Sequence, residues 1–368
     1  MKFTCLRSEL ASAVSNVQRA VSSKASIPAL EGILIKAYGS QLVLSGYDLE
    51  IGITTNMEAT VNEEGEIVVS AKLFSDIVRK LPEEIVCIET DERLITYITS
   101  GQADYQIVGI SSNEYPELPS FEQTDNIVVN AEILKNMIRQ TIFAVSDNMA
   151  KPIYTGSLFD IDNNVLRIVS VDGYRMAIRE ENIESGSSNK FVVPGKTQSE
   201  ILKLITDDKK DVEIIVGQRH INFKIENYSI ISRLIEGNFL DYKTTVPKTA
   251  QTELVINTRL LSNAVDRMSL LTSEKIQSPV RCSITSDQIK LSCSTAVGKA
   301  NDILSVSTIG SDVEIGFNNK YLLDALKNSD TDEIKLILNG PLAPMIVKPV
   351  NSDCFTFLVV PMRLSNEG

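Results

Sequence analysis

Residues 68–81 read VVSAKLFSDIVRKL, a short apolar run followed by a segment with the periodicity of an amphipathic helix. The apolar positions of the segment recur at helical spacing and predict one buried face: Phe74, Ile77, Val78 and Leu81. The opposite face carries a cation, an acid and a second cation at positions i, i+4 and i+7: Lys72, Asp76 and Arg79.

The charged triplet recurs twice more in the chain with a constant spacing of 124 residues. The two further copies are Lys196, Glu200 and Lys203, and then Lys320, Asp324 and Lys327. Self-similarity at a fixed period indicates an internal repeat. For a chain of 368 residues, the repeat predicts three domains, with boundaries at 1–122, 123–250 and 251–368.

The segments around the triplets predict an α+β fold. Residues 3–21, 127–145 and 254–270 match one another, so each third opens with a strand and an amphipathic helix, the first at 7–21. Alternating runs joined by short turns follow, as in GILIKAYGSQLVLSGYDLEIGIT and VRCSITSDQIKLSCST. The unit is therefore β-α-βββ, occurring twice in each third. Six helices on one side of antiparallel sheet suggest a ring with the sheet outside and the helices inside.

Positive charge is concentrated on the predicted helices. Together the six helices carry a net charge of +7, although the whole chain has a net charge of −12. Each helix could be a solvated face with i, i+4 ion pairs worth about 0.2–0.5 kcal/mol. Rows of lysine and arginine without interleaved aromatics also suit duplex phosphates, contacted without base readout.

Other function classes find little support in the sequence. The N-terminus lacks the apolar region of a signal peptide, and the sequence contains no run of 18 apolar residues, so we expect a cytosolic protein with no membrane span. Five cysteines without a C-x-x-C pair predict buried free thiols. His220 is the single histidine, which leaves no basis for a zinc site or a histidine-based triad.

Several segments resemble the bacterial DNA polymerase III beta subunit, or sliding clamp, family. They are MKFT at 1–4, YDLEIGI at 47–53, VDGYRMAI at 171–178, FLDYKTTVP at 239–247, IGFNNKYLLDAL at 315–326 and VVPMRL at 359–364. The resemblance implies three tandem DNA-clamp domains, closed as a head-to-tail homodimeric ring around double-stranded DNA. It further implies a processivity factor without a catalytic site, metal or cofactor, which binds the replicative DNA polymerase, the clamp loader and repair factors.

In this family, partners insert a short hydrophobic motif into a cleft. The positions that match the cleft are Tyr154, Val171, Gly173, Tyr174, Arg175, Met176, Leu240, Thr244, Thr245, Tyr321, Pro344, Met345, Leu358, Val360, Pro361, Met362 and Arg363. An apolar cleft with adaptable methionines suits leucine and phenylalanine side chains of several partners. Tyr174, Leu240 and Thr244 depart from the family's usual His, Pro and Arg, and residues 365–368 extend the tail, where they could cover part of the cleft.

The resemblance also implies an interface and a DNA-binding face. Dimer contacts would join Tyr105 and Ile107 to Leu270 and Leu271, although core burial explains these apolar residues equally well. The DNA-binding candidates are the loop lysine and six helix cations: Lys24, Lys72, Arg79, Lys196, Lys203, Lys320 and Lys327.

Three alternatives stay open at the level of sequence. Asp172, Tyr174 and Arg175 could form an acid/base cluster of an enzyme, although no phosphate loop, ligand set or nucleophile motif accompanies them. The chain could be a repeat scaffold that binds only proteins. VDGYRM could be an ordinary Asp-Gly bend, and PMRL a frayed terminus.

Overall fold

The fold was described from a computed structural model of the chain, which covers residues 1–120, 125–184, 188–272 and 278–364. The predicted boundary at 122 and the tail at 365–368 lie outside these residues. The α+β class is confirmed, and each third contains the predicted β-α-βββ unit twice, with one extra short strand in the first and last thirds.

The first third has nine strands and two helices among the described residues. They are β1 (Lys2–Leu6), α1 (Arg7–Val17), β2 (Gly32–Tyr38), β3 (Gln41–Tyr47), β4 (Ile51–Glu58), β5 (Thr60–Glu63), β6 (Gly65–Ser70), α2 (Ala71–Lys80), β7 (Ile85–Thr90), β8 (Ile95–Ser100) and β9 (Ala103–Val108). The prediction for α1 was too long, because the chain tightens into a 3₁₀ turn at Gln18–Ala20.

The central third repeats this order. Its elements are β10 (Asp125–Asn130), α3 (Ala131–Arg139), β11 (Gly156–Asp162), β12 (Val165–Val171), β13 (Arg175–Asn182), β14 (Asn189–Pro194), α4 (Gly195–Leu204), β15 (Asp211–Val216), β16 (His220–Ile225) and β17 (Tyr228–Arg233). A linker follows, with one short helix, α5 (Tyr242–Thr245).

The last third has the same plan. Its elements are β18 (Thr252–Asn257), α6 (Thr258–Ser269), β19 (Val280–Ile284), β20 (Gln288–Thr295), β21 (Gly298–Ser305), β22 (Ser307–Gly310), β23 (Val313–Phe317), α7 (Asn319–Lys327), β24 (Glu333–Leu338), β25 (Met345–Pro349) and β26 (Phe355–Val359). The side chain of Asn257 accepts from the Leu260 N–H at 3.0 Å, and that of Asn318 accepts from the Lys320 N–H at 2.9 Å, so asparagine caps begin both α6 and α7.

Helix α2 illustrates how the sequence produces these elements. Phe74 and Val78 are fully buried and Ile77 nearly so, whereas Lys72 and Arg79 are exposed, as the periodicity predicts. The helix ends at Lys80 because Pro82 disfavours a helical conformation for the residue before it, and that residue is extended.

Two compact units divide the described chain: Met1–Leu134 with Lys196–Leu234, called the first unit, and Lys135–Gly195 with Ile235–Gly368, called the second unit. The division passes through the predicted central domain because its strands belong to two different sheets. The domain boundaries at 122 and 250 therefore stay a prediction.

The first unit contains a five-stranded and an eight-stranded antiparallel sheet. Their orders are β5-β1-β7-β8-β9 and β10-β15-β16-β17-β4-β3-β2-β6. The larger sheet joins strands of the first and central thirds, since Tyr228–Ser232 of β17 pairs with Ile51–Thr55 of β4. Strand β9 is an edge of the smaller sheet.

The second unit repeats this design. Its sheets have the orders β14-β11-β12-β13-β26-β25-β24-β18-β22 and β21-β20-β19-β23. Strands of the central and last thirds join where Arg175–Arg179 of β13 pairs with Phe355–Val359 of β26. Strand β21 is an edge of the four-stranded sheet. The main core packs α6 and α7 against the sheets around Phe317, Phe355 and Phe357.

Candidate functional site

An apolar cluster covers the face of the nine-stranded sheet that points away from the main core. Met176 pairs directly with Leu358, and Leu358 pairs with Ile346, so their side chains share one face. The buried members are Leu158, Val169, Val171, Met176, Ile178, Val192, Tyr242, Ile346 and Leu358. Because six adjacent strands of the sheet, β14-β11-β12-β13-β26-β25, supply this floor, it is a rigid platform.

The linker after β17 packs across this floor, and the two together are called the linker-covered cluster. Phe239, Leu240 and Val246 pack against the buried residues. Phe239 meets the ring of Tyr154 edge-on at 5.5 Å between centroids. The linker thus forms one wall of an apolar surface whose floor is the sheet.

Tyr242 anchors the linker to a buried carboxylate. Its hydroxyl donates to Oδ2 of the fully buried Asp160 at 2.7 Å. Lys190 and Lys243 each place Nζ at 3.5 Å from the same oxygen. Burial, and then the hydrogen bond to Asp160, raise the pKa of the Tyr242 hydroxyl, so the phenol stays neutral and keeps donating.

The Asp-Gly bend predicted at 172–173 is present, and it shapes the rim of the cluster. Oδ1 of Asp172 accepts from the backbone N–H groups of Tyr174 at 2.9 Å and Arg175 at 3.0 Å. Gly173 has a φ of +94°, a conformation that disfavours residues with a Cβ. The bend leaves Tyr174 59% exposed and turns Arg175 inward, where it is only 9% exposed.

Arg175 connects the bend to helix α7. Its Nε donates to Oδ2 of Asp172 at 2.9 Å, and its Nη1 donates to Asp324. The guanidinium carbon lies 4.7 Å from the centroid of the Tyr321 ring, which itself stacks on Tyr174 at 5.6 Å and an interplanar angle of 15°. The rim of the cluster is therefore held by a buried ion-pair network.

The segment PMRL is ordered through Leu364 rather than frayed. The Val360 N–H donates to the Tyr174 carbonyl, and the Met362 N–H to the Gly316 carbonyl, each at 2.8 Å. Leu364 also packs against Gly316. The chain end is therefore fixed beside the bend.

The structure brings most of the predicted cleft residues together. Tyr154, Val171, Met176, Leu240 and Leu358 lie in the linker-covered cluster, and Gly173, Tyr174, Arg175, Tyr321 and Val360 form or contact its rim. Thr244 and Thr245 are exposed on α5, and both hydroxyls donate to the Asp241 carbonyl at 3.0 Å. Pro344, Pro361 and Met362 are half-buried, and Arg363 is exposed.

Met345 differs from the others, because its side chain packs in the main core on the opposite face of the sheet. Sequence reasoning also missed Phe239, Tyr242, Val246, Ile337 and Ile346, which the linker-covered cluster contains. The alternation in strands β24 and β25 could have found the two isoleucines, since it assigns Ile346 and Met345 to opposite faces.

All seven DNA-binding candidates are exposed, but their surroundings differ. Lys72 and Lys320 project from the first turns of α2 and α7, and Lys24 lies in the loop after α1. The remaining candidates contact acids: Arg79 reaches Asp76 at 2.5 Å, Lys203 reaches Glu200 at 2.7 Å, Lys327 reaches Asp266 at 3.5 Å, and Lys196 reaches Asp48. Asp76 and Glu200 therefore pair with the last cation of their own triplet, whereas Asp324 pairs with Arg175.

The predicted interface residues lie near the two sheet edges. Tyr105 is partly exposed on β9, and Ile107 on the same strand is buried. Leu270 follows α6 and is 82% exposed, whereas Leu271 packs against the main core. Leu270 is thus the most solvent-exposed of the four predicted interface residues.

Within the described residues, we find neither a group of acids, histidines and cysteines placed to hold a metal nor a helix long and apolar enough to cross a membrane. All five cysteines are free: Cys5, Cys282 and Cys293 are buried, and Cys87 and Cys354 are half-buried. His220 begins strand β16.

Comparison with known proteins identifies the family. Residues 1–119, 128–241 and 243–363 match, in order, the N-terminal, central and C-terminal domains of the DNA polymerase III beta subunit. The chain belongs to the DNA polymerase III beta subunit family.

Relatives within the family match over nearly the whole chain. The beta sliding clamp of Bacillus subtilis strain 168 is 34% identical, covering 99% of this chain and 100% of that protein. A crystal structure of a putative DNA polymerase III beta subunit from Eubacterium rectale is 37% identical with a TM-score of 0.95, covering 98% of this chain and 99% of that one. A sliding clamp structure from B. subtilis is 33% identical with a TM-score of 0.97, covering 99% of this chain and 100% of that one. The three tandem clamp domains expected from the sequence are thereby confirmed.

Proposed function

We propose that this protein is a DNA sliding clamp, a non-catalytic processivity factor. Two copies would close head to tail into a ring around double-stranded DNA in the cytoplasm. The ring would tether the replicative DNA polymerase and repair factors, and a clamp loader would open it. Support comes from the family and from the likeness to solved clamp structures over almost the entire chain.

The observation that carries the proposal is the repeated sheet junction. In the first unit Ile51–Thr55 pairs with Tyr228–Ser232, and in the second unit Arg175–Arg179 pairs with Phe355–Val359. The period of 124 moves residues 51–55 onto 175–179 and then onto 299–303, which lie in the edge strand β21. A third copy of the junction therefore lacks only its second strand.

The missing second strand corresponds to β9. The segment YQIV at 105–108 aligns with YSII at 228–231 and FTFL at 355–358, the strands that complete the two junctions. β9 and β21 are both edges, and paired edges are far less prone to aggregation than open ones. A heterologous contact between β9 of one copy and β21 of another closes a ring if the rotation permits it.

The register of this contact follows from the other two. Tyr228 pairs with Thr55 and Ile230 with Ile53, so Tyr105 of one copy would face position 303 of the other, and Ile107 would face position 301. The exposed Leu270, with Leu271, is proposed to pack at this contact. The exposed side chains of Tyr105 and Leu270 would then be covered, next to Ile107 and Leu271, which the chain already buries or partly buries.

The exposed lysines and arginines of the helices are proposed to contact phosphates. The chain is acidic overall, so DNA would be repelled from most of its surface and attracted to these positions. Contacts of this kind carry no base readout, which allows sliding. Lys196 would first have to break its ion pair with Asp48, so we expect it to contribute less to DNA affinity than Lys72 or Lys320.

The linker-covered cluster is the proposed docking cleft for short hydrophobic motifs. Its apolar floor suits leucine and phenylalanine side chains, and the exposed Tyr174 supplies an aromatic rim. An enzyme built on Asp172, Tyr174 and Arg175 is disfavoured, because both carboxylate oxygens of Asp172 already accept hydrogen bonds within the bend. The bend is better suited to shaping a binding surface than to proton transfer.

The test is retention on DNA. The protein is assembled on nicked circular plasmid with a bacterial clamp loader and ATP, and then separated from free protein by gel filtration. We expect it to stay on circles and to be lost after the plasmid is cut once by a restriction enzyme. Equal retention on circular and linear DNA would refute a topological clamp. The solution mass provides a second check, since a ring requires twice 40.6 kDa.

A further inference from the structure

A second pocket with a basic rim adjoins the linker-covered cluster in the second unit. Its volume is about 470 Å³, within the range of ligand pockets. Val246, Ile337 and Ile346 line it, and all three also belong to or pack against the linker-covered cluster. The pocket therefore shares part of its lining with the proposed peptide cleft and lies next to it.

Three lysines surround this apolar lining: Lys243, Lys248 and Lys348. Glu253 is the acid of the lining, and Lys335 lies 3.8 Å from it. The pocket is thus locally positive although the chain has a net charge of −12.

Acidic side chains of the protein only partly neutralise the charges of these lysines. Lys348 pairs at 3.1 Å with Asp353, whose side chain is 87% exposed, so that pair is weak. Among the described residues no acid is within ion-pair distance of Lys248, which is exposed. In addition, Lys335 and Lys348 lie directly opposite each other on β24 and β25, where like charges repel.

A bound carboxylate would relieve this repulsion. Lysine is a compact charge on a flexible stem, so it can follow an acidic side chain in several positions. The apolar lining would accommodate the methylene groups of that side chain or of a neighbouring residue. An acidic residue next to the hydrophobic motif of a partner peptide meets both conditions.

We infer that this pocket binds aspartate or glutamate side chains that flank the hydrophobic motif of a partner, and so selects among partners. The inference rests on the proposed function, since it requires a peptide in the adjoining cleft. Selection would arise because the acidic surface elsewhere repels acidic peptides, while this pocket attracts them.

The experiment compares three fluorescein-labelled peptides by fluorescence anisotropy at low and high salt. All share a core of two leucines and a phenylalanine, with flanks of serine, aspartate or lysine on both sides. On the unaltered protein we expect the aspartate peptide to bind about threefold to tenfold more tightly than the serine peptide at low salt, as one or two exposed ion pairs allow. The advantage should shrink at 0.5 M salt.

Two charge-reversal variants identify the pocket: Lys248→Glu and Lys348→Glu. Each should remove the advantage of the aspartate peptide, leave the serine peptide within about twofold, and favour the lysine peptide. Lys290→Glu, an exposed change of the same charge on β20, is the matched control and should keep the original order. Lys243 is left intact because it lies beside the buried Asp160.

The outcomes separate the two proposals. Equal binding of the serine and aspartate peptides, or an advantage that survives both reversals, overturns the acidic pocket while leaving the cleft. Absence of binding by every peptide overturns the cleft and this inference together. If a short DNA duplex displaces the aspartate peptide, and both reversals weaken the duplex equally, the pocket binds phosphate and the inference is wrong.

Discussion

Replacing Arg175 by methionine tests whether the buried ion-pair network holds the rim of the linker-covered cluster. Methionine keeps an unbranched side chain but removes the guanidinium from Asp172 and Asp324. It also removes the cation from the face of the Tyr321 ring. The change therefore leaves two carboxylates without their shared partner.

The expected loss follows from burial. Removing one partner of a buried ion pair costs about 3–5 kcal/mol. Two features place Arg175→Met at the lower end: the Asp324 side chain is 31% exposed and can be hydrated, and Asp172 retains two backbone N–H donors. Loss of the cation–π contact is partly offset by methionine on the ring. We expect about 3 kcal/mol of destabilisation.

Differential scanning calorimetry measures this loss. For a unit of 150–250 residues, about 3 kcal/mol lowers the Tm by roughly 6–12 °C. Arg79→Met is the matched control, since Arg79 makes an i, i+3 pair with Asp76 as Arg175 does with Asp172, but both side chains are about half exposed. Its cost should be about 0–1 kcal/mol.

The reasoning fails if Arg175→Met melts within about 2 °C of Arg79→Met. Arg175→Lys should lie between the two, because lysine retains the charge but not the two-sided hydrogen bonding or the stacking. Tyr174→Ala provides the complementary readout. With that side chain mostly exposed, the Tm should hardly change, whereas peptide binding should weaken.

Four further outcomes are expected. The triple change Lys72→Ala, Lys196→Ala and Lys320→Ala should reduce retention on circular DNA and make the dependence of log affinity on log salt shallower. The control replaces three exposed or half-exposed lysines of the sheets by alanine and should change neither property: Lys36, Lys224 and Lys290. Leu270→Lys should shift the solution mass from dimer towards monomer in analytical ultracentrifugation, while Leu342→Lys, at a similarly exposed position outside the proposed interface, should not. Tyr242→Phe should cost about 1–3 kcal/mol in urea unfolding, because Asp160 loses a buried donor; a change below 0.5 kcal/mol would contradict that role. Burial raises the pKa of the Cys5 and Cys282 thiols to about 12, so as pH rises these thiols lose their protons in the unfolded chain before they do in the folded one. Their contribution to the free energy of unfolding should be complete below about pH 9 and should be lost between about pH 9 and 12. Replacing both cysteines by alanine should therefore flatten the fall of the urea midpoint over this pH range.

Local periodicity explains why so many of the elements could be predicted. The spacing of Phe74, Ile77 and Val78 specifies a buried helix face whatever the helix packs against. The same holds for the alternating runs that became β2 with β3 and β19 with β20. Both patterns depend on residues within a few positions of one another.

The face of the sheet to which a side chain points, and the partner of a charged side chain, were harder to predict. The first depends on a single residue of register, and the second depends on distant segments. Met345 and Ile346 are neighbours in β25 and point to opposite faces of the sheet. The family resemblance assigned Met345 to the cleft, whereas its side chain packs in the main core and Ile346 lies in the linker-covered cluster. The pairing of Asp324 with Arg175 joins residues 149 positions apart. Nothing in the helix that carries Asp324 distinguishes it from Asp76 or Glu200.

The sequence by itself determined the repeat, the α+β class and the helix faces, since each is fixed by spacing along one segment. Only the tertiary structure decided that β4 joins β17 and β13 joins β26, because these pairings join strands from different thirds of the chain, and spacing along one segment does not specify such a partner. The helix around Lys72 carries the first copy of the repeated charged triplet. The surroundings of its copies, where Asp48 pairs with Lys196 and Arg175 pairs with Asp324, exist only in the folded chain.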